Sequence, residues 1–342
     1  MTLTNKSTPV SWLVAVLITI LLLYWGKYLF MPLSLAMFVA IFLTPLTRLF
    51  ESFRMPKALA ALIPVLILLL FLTGFIFFFK SQLATILKDL PLLKLRLKDL
   101  LADTQQWIQL HYKIDVAAQT NFLSTQVNNL VSSSTAGLGA VLQFLILFTL
   151  FVFFTFYILL YRSILVRFML SFFSKKEQKE LGDFNFNLQH TINNYVKGLI
   201  IEMIVVMVLA FITLLIIGIK YALLMAVIAG VLNLIPYLGI YTATLLNAIV
   251  AMMTGDTHQA LIIMIVFLTI HLIDANLLVP FIVGNQIKIN PFITLIAVVV
   301  GELIWGIPGM FLFIPITGVL KIIADKTNDF KPFSIILGNE HE

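Results

Sequence analysis

The chain has 342 residues, 61% of them hydrophobic and only 11% charged, with a formal net charge of +6 and a mean hydropathy of +1.06. Soluble domains carry ~25% charged residues, so this composition excludes an ordinary soluble domain. It points to an all-α, polytopic helical membrane protein, because runs of ~20 apolar residues cross a bilayer as helices whereas barrel strands alternate over about ten.

Taken in chain order, the first apolar run follows Lys6 like a signal peptide. No small-residue cleavage site follows it, and Tyr24, Trp25 and Lys27 close it like an interfacial anchor. It is read as a retained first span, about 10–26, followed by spans at 29–47 and 58–79. Together they make an N-terminal region, 1–79. Residues 80–137 are polar, with Leu83, Ile86, Leu87, Leu90, Leu93, Leu97, Leu100 and Leu101 at helical spacing. That pattern predicts an amphipathic helical insert outside the bilayer, either a hairpin packed on itself or a neighbouring subunit, or a membrane-surface helix. Span four covers 138–161. The stretch 162–198 is a cytoplasmic helical loop rich in Lys and Arg, and 199–323 forms a C-terminal transport region. That region opens with span five at 199–218. It continues with two unusually long apolar segments, 221–253 and 290–323, on either side of a span at 258–281. The tail, 324–342, is polar and is expected to fray.

Cations in short loops set orientation. With the N-terminus inside, the inner face receives Lys6, Arg48, Arg54, Lys57 and the cations of 162–198, while the short outer links receive only Lys27 and Lys220. Both termini are therefore expected in the cytoplasm and the 80–137 insert on the outer side.

The two long segments exceed the ~20 residues needed to cross, and each is broken near its middle. The first carries Pro236, Tyr237 and Gly239; the second carries Gly301, Gly306, Pro308 and Gly309, with Pro315 further on. Proline removes a backbone donor and glycine permits unwound backbone. Such backbone survives at membrane depth only where protein or a wet cavity satisfies it. The breaks fit either re-entrant hairpins or kinked helix pairs. As hairpins, they would enter from opposite faces, a pattern that points to a transporter's midplane site.

Three carboxylates, Glu202, Asp274 and Glu302, lie inside apolar runs. A charge at mid-bilayer costs ~2.5–3.5 kcal/mol on insertion scales, so each should face protein, water or a partner, or hold a proton. His271 lies three residues before Asp274, on the same helix face. The pair is a candidate for proton or cation coupling; the alternative is an interhelical lock. Glu202 either joins the coupling groups or merely reaches the inner headgroups towards Lys197. Asn233, Asn247, Asn276 and Asn285 supply neutral donors and acceptors for a small polar solute. Zero cysteines exclude disulfides, thiolate catalysis and cysteine-held metal. No nucleotide loop, no HExxH and no basic–aromatic platform is present, so no cofactor, metal, nucleic acid or enzymatic activity is expected.

The elements NLIPYLG at 233–239, NLLVPFIVGNQIKINP at 276–291 and VGELIWGIPGMFLFIP at 300–315 resemble the autoinducer-2 exporter family of PerM-like permeases. With the layout of apolar segments, the resemblance covers nearly the whole chain. It implies a bacterial inner-membrane secondary transporter, linked in some members to export of the furanone autoinducer-2 and in others to sodium or lithium/proton antiport. It also implies a homo-oligomer, a pentamer being suspected. Family importance carries over to Pro236, Tyr237 and Gly239, to Pro280 and Gly284, to Pro291, and to Gly301, Gly306, Pro308, Gly309 and Pro315. The chain departs from the pattern at Ile240, Asn285 and Glu302, where relatives often have proline, a basic residue and glycine. The expected function is export of a small polar solute coupled to protons or cations. Cation/proton antiport by the same carboxylates is the nearest alternative. A non-transporting scaffold or regulator is the alternative of another class.

Overall fold

The structure is a computed structural model that describes residues 9–113, 115, 120–121, 137–171, 175–235, 238–254, 257–283, 289–326 and 331–338. Every secondary-structure element among the described residues is helical: α1 Pro9–Trp25, α2 Lys27–Ser52, α3 Lys57–Tyr112, α4 Gly137–Ser171, α5 Lys175–Ile217, α6 Ala222–Asn233, α7 Leu238–Thr254, α8 Thr257–Ile273, a π-helical segment Asp274–Val283, α9 Pro291–Trp305, α10 Ile307–Lys326 and α11 Lys331–Leu337. Among the described residues, five helical stretches are long and apolar enough to cross a membrane: Lys27–Ser52, Lys57–Ile86, Gly139–Phe168, Ile192–Ile217 and His258–Val279. The protein is a polytopic helical membrane protein.

Two local features differ from the sequence reading. A single residue, Gly26, separates the first two helices. The chain bends at Gly26, whose N–H still bonds Leu22 O at 2.8 Å and whose carbonyl accepts Phe30 N–H at 2.9 Å, so the helical hydrogen bonding continues through the bend. Nor does span three end where polarity begins: α3 continues from the apolar run into the leucine-periodic segment as one helix to Tyr112. Most of the rest of the 80–137 insert lies outside the described residues.

The two long broken segments are helix pairs. α6 and α7 pack on each other, as do α9 and α10, and each leg of 12, 17, 15 or 20 residues falls at or below the ~20 needed to cross alone. Each segment therefore doubles back on itself as a helical hairpin. In the second, the reversal is made at Gly306, with φ 66° and ψ −147°, a region open essentially to glycine alone. About one turn away on either leg, the backbones of Gly301 and Gly309 touch; a Cβ on Gly309 would stand 1.9 Å from Gly301 O.

The chain divides into two compact units. The first comprises residues 1–67, 147–197 and 284–342. Its apolar core gathers Phe38 of α2, Ile192 of α5, Ala297, Ile304 and Trp305 of α9, and Leu312 and Phe313 of α10. Trp305 packs edge-on against Phe313 at 5.2 Å and donates its indole N–H to Leu23 O at 3.1 Å. Arg162 of α4 pairs with Glu51 of α2.

The second unit comprises residues 68–146 and 198–283. Its core is rich in alanine: Ala210, Ala222, Ala226, Ala229, Ala243, Ala248, Ala251 and Ala260 are all buried, with Val206, Leu214, Ile263, Phe267 and Ile270. Small residues let helix backbones approach where lipid provides no hydrophobic drive between helices. Phe79 and Ile86 of α3 pack on this core. Just beyond them Asp89 pairs with Lys220 at 2.7 Å and accepts the Tyr221 hydroxyl at 2.6 Å, tying α3 to the entrance of the first hairpin.

Candidate functional site

Two apolar stripes of the second unit end in carboxylates. On α5, Glu202 heads the series Val206, Ala210, Leu214, spaced four apart; on α8, Ile263, Phe267 and Ile270 lead to Asp274. Both stripes belong to the core packed around the α6–α7 hairpin. Side chains spaced three or four apart share one helix face, so each carboxylate is directed where its stripe is directed, into the protein. Glu202 and Asp274 are each only 6% exposed.

What they meet is Asn233, the last residue of α6, at the tip of the first hairpin. Its carboxamide nitrogen donates to Glu202 Oε1 at 3.2 Å and to Asp274 Oδ2 at 3.2 Å. One amide therefore joins two buried acids from two different helices. The tip is tightly drawn: a Cβ on Gly239 would stand 1.9 Å from Leu232 O, so only glycine allows α7 to start directly against the end of α6.

Asp274 also marks a change in helical winding. The regular α-helix α8 ends at Ile273, and the π-helical segment begins at Asp274. Wider turns of this kind are frequent at functional sites. One turn earlier stands His271, its ring 5.9 Å from that of Tyr241 on α7. His271 Nδ1 and Asp274 Oδ1 are buried and have no hydrogen-bond partner among the described residues. The cluster joins two acids from different helices through one carboxamide, and a buried polar atom left unpaired is costly.

The predicted site residues fall into distinct sets. Glu202, Asn233, Asp274 and His271 belong to the second unit, and the first three are directly bonded. Glu202 does not turn towards the headgroups as one reading allowed, because the amide of Asn233 holds it inside. Asn247 is fully buried on α7; its Nδ2 donates to Ala243 O at 2.8 Å, while its Oδ1 has no partner among the described residues. Asn276 is exposed and spends its amide on Leu272 O of its own helix at 2.8 Å. Pro280 lies in the π-helical segment. In the first unit, Pro291 opens α9, Gly301, Gly306 and Gly309 shape the second hairpin, Pro308 stands in the first turn of α10, and Pro315 lies inside it. Glu302 is exposed on α9. Pro236, Tyr237, Gly284 and Asn285 lie outside the described residues.

Sequence reasoning paired Asp274 with His271 and left Glu202 apart. The missed element was the three-way junction, and the signal that could have found it is the shared spacing 202/206/210/214 and 263/267/270/274. A carboxylate that continues a core stripe is a carboxylate aimed at the core.

The family model for AI-2E family transporters matches residues 13–329. The chain is 25% identical over 314 residues to YrrI of Bacillus subtilis, whose name classes it with transport proteins, covering 87% of this chain and 86% of that one. It is 28% identical over 143 residues to PerM of Escherichia coli, named as a permease, covering 42% of this chain and 40% of that one. It is 21% identical over 318 residues to TqsA of Escherichia coli, named as an AI-2 transport protein, covering 90% of this chain and 89% of that one.

Proposed function

Because the chain belongs to the AI-2E family of transporters, we propose that it is a secondary transporter of the bacterial inner membrane that exports a small polar solute, coupled to protons or cations at the junction of Glu202, Asn233, Asp274 and His271. The observation that carries this reading is the single Asn233 amide bonded to two buried carboxylates on separate helices. Two full negative charges buried side by side repel strongly in a low-dielectric interior. A proton or cation that enters neutralises one of them and loosens or tightens the grip on Asn233. Since Asn233 ends the first leg of the hairpin, its release is transmitted to the tip. That supplies the two-state element that coupling requires.

Small hydroxylated molecules match the open oxygen and nitrogen of Asp274 and His271, and autoinducer-2, named for the relative TqsA, is the first solute to test. Cation/proton antiport is the second reading. It is favoured by the unpaired Asp274 Oδ1 beside a second carboxylate, which is oxygen chemistry suited to a hard monovalent cation.

Proteoliposomes loaded with autoinducer-2, with a pH gradient imposed, test the first reading. Wild-type flux should follow the gradient, and Asp274→Asn should abolish that dependence. Radioactive sodium uptake against the same gradient separates antiport. If Asp274→Asn and Glu202→Gln both left every gradient-driven flux unchanged, the coupling role of the junction would be lost.

A further inference from the structure

The polar tail was expected to fray, yet its helix α11, Lys331–Leu337, is fastened at its middle and at its C-terminal end to the base of the second hairpin. At its C-terminal end the fastener is Asn290, which immediately precedes α9. The Asn290 side-chain oxygen caps α9 by accepting Ile293 N–H at 2.8 Å. Its amide nitrogen donates to Ile336 O at 2.8 Å and to Gly338 O at 3.1 Å, and its backbone N–H donates to Leu337 O at 3.2 Å. The terminal carbonyls of a helix are ordinarily left to water; here one asparagine takes two of them and the carbonyl of the residue just beyond. Earlier in α11, Ser334 bonds Asp325 near the end of α10, and Asp325 is in turn held by Lys321 at 2.9 Å. α11 therefore bridges the two legs of the hairpin where they open.

The depth of this bridge follows from the legs themselves. α9 is apolar from Pro291 onward and α10 is apolar up to Ile322, so both legs leave the apolar zone beside the residues that grip α11. On α11 the apolar side chains Phe333, Ile335 and Ile336 are 41%, 77% and 61% exposed. Seven residues cannot supply the ~800 Å² per partner of a stable protein interface. They suffice for a tethered helix resting among headgroups.

We infer that α11 is a membrane-interface strap: its exposed Ile335 and Ile336 rest in the lipid headgroup layer while Asn290 and Asp325 clasp it across the two legs of the second hairpin. The strap holds the base of that hairpin together and fixes its depth. The inference is independent of the transported solute.

The absence of cysteine makes the test direct. Ile335→Cys, labelled with bimane in the full chain, is reconstituted in vesicles of phosphatidylcholine and phosphatidylglycerol. Leu110→Cys, at an exposed position near the end of α3, serves as the aqueous control. A strap about 5–10 Å into the headgroup boundary predicts loss of most of the Ile335→Cys emission with doxyl-labelled lipid and little loss with iodide, the reverse of the control. Adding Asn290→Asp, which keeps the oxygen that caps α9 and removes the amide that clasps α11, should raise iodide quenching towards the control. Equal iodide quenching at positions 335 and 110 in the otherwise unaltered chain would overturn the strap. So would shielding from both quenchers together with energy transfer between labelled copies, which would assign the patch to a second copy.

Discussion

The two hairpins begin from the same sequence signature, a long apolar segment broken by glycine and proline, and are stabilised by opposite means. The first, α6–α7, carries its polar chemistry at the tip: Asn233 bonds Glu202 and Asp274 there, and Asn247 is fully buried further along α7. The second, α9–α10, has a glycine contact and a tryptophan near its tip, and its polar fastening lies at its base, through Asn290. A break in an apolar segment therefore does not by itself gather buried polar groups. What distinguishes the first hairpin is that neighbouring helices direct carboxylates at its break.

That contrast is broken or sharpened most strongly by the acids. Asp274→Asn should lower gradient-driven flux by about tenfold or more, the equivalent of one charge-assisted hydrogen bond. Glu302→Gln, on the exposed face of α9, should leave it unchanged; a loss at Glu302 equal to that at Asp274 would erase the distinction. The next largest effect belongs to packing in the second hairpin. Gly309→Ala forces a side chain into Gly301 O and should destabilise by about 1–3 kcal/mol, read as a lower unfolding temperature in detergent. Gradient coupling of the surviving folded protein should stay intact.

Smaller effects come from single hydrogen bonds. Tyr221→Phe removes the hydroxyl donated to Asp89, and should cost about 1 kcal/mol. Lys220 first and Tyr221 second hold the Asp89 carboxyl below the ordinary aspartate range. The stabilisation from that shift is present above the ordinary aspartate value and is lost as pH falls through the lowered one, so mild acid should not open the clasp. The Tyr221 hydroxyl is pushed up to about 12 by burial and by the Asp89 carboxylate. Its contribution is complete below about pH 10 and is lost as pH rises towards 12, so the difference between wild type and Tyr221→Phe should shrink over that alkaline interval.

Much of this architecture was legible in residue order. Hydropathy located the membrane helices, because lipid leaves the backbone no partner but itself. The breaks at Gly239 and Gly306 located the two reversals, because few other residues permit them. Glu202 was harder to place. Counted along its helix it stands near the start of a span, where a headgroup position is reasonable, and nothing adjacent in the chain reveals a partner 31 residues away. The tail was misread for a related reason: α11 is too short to be stable by itself, and the asparagine that secures it lies more than forty residues earlier.

The sequence alone determined that the chain enters lipid as helices and where those helices must turn, since both follow from local free energies of burial and backbone freedom. Only the tertiary structure decided which break became a polar junction and which became a packed wedge. That depends on what the neighbouring helices bring to each tip, and hydrogen bonds between distant residues leave no trace in local composition.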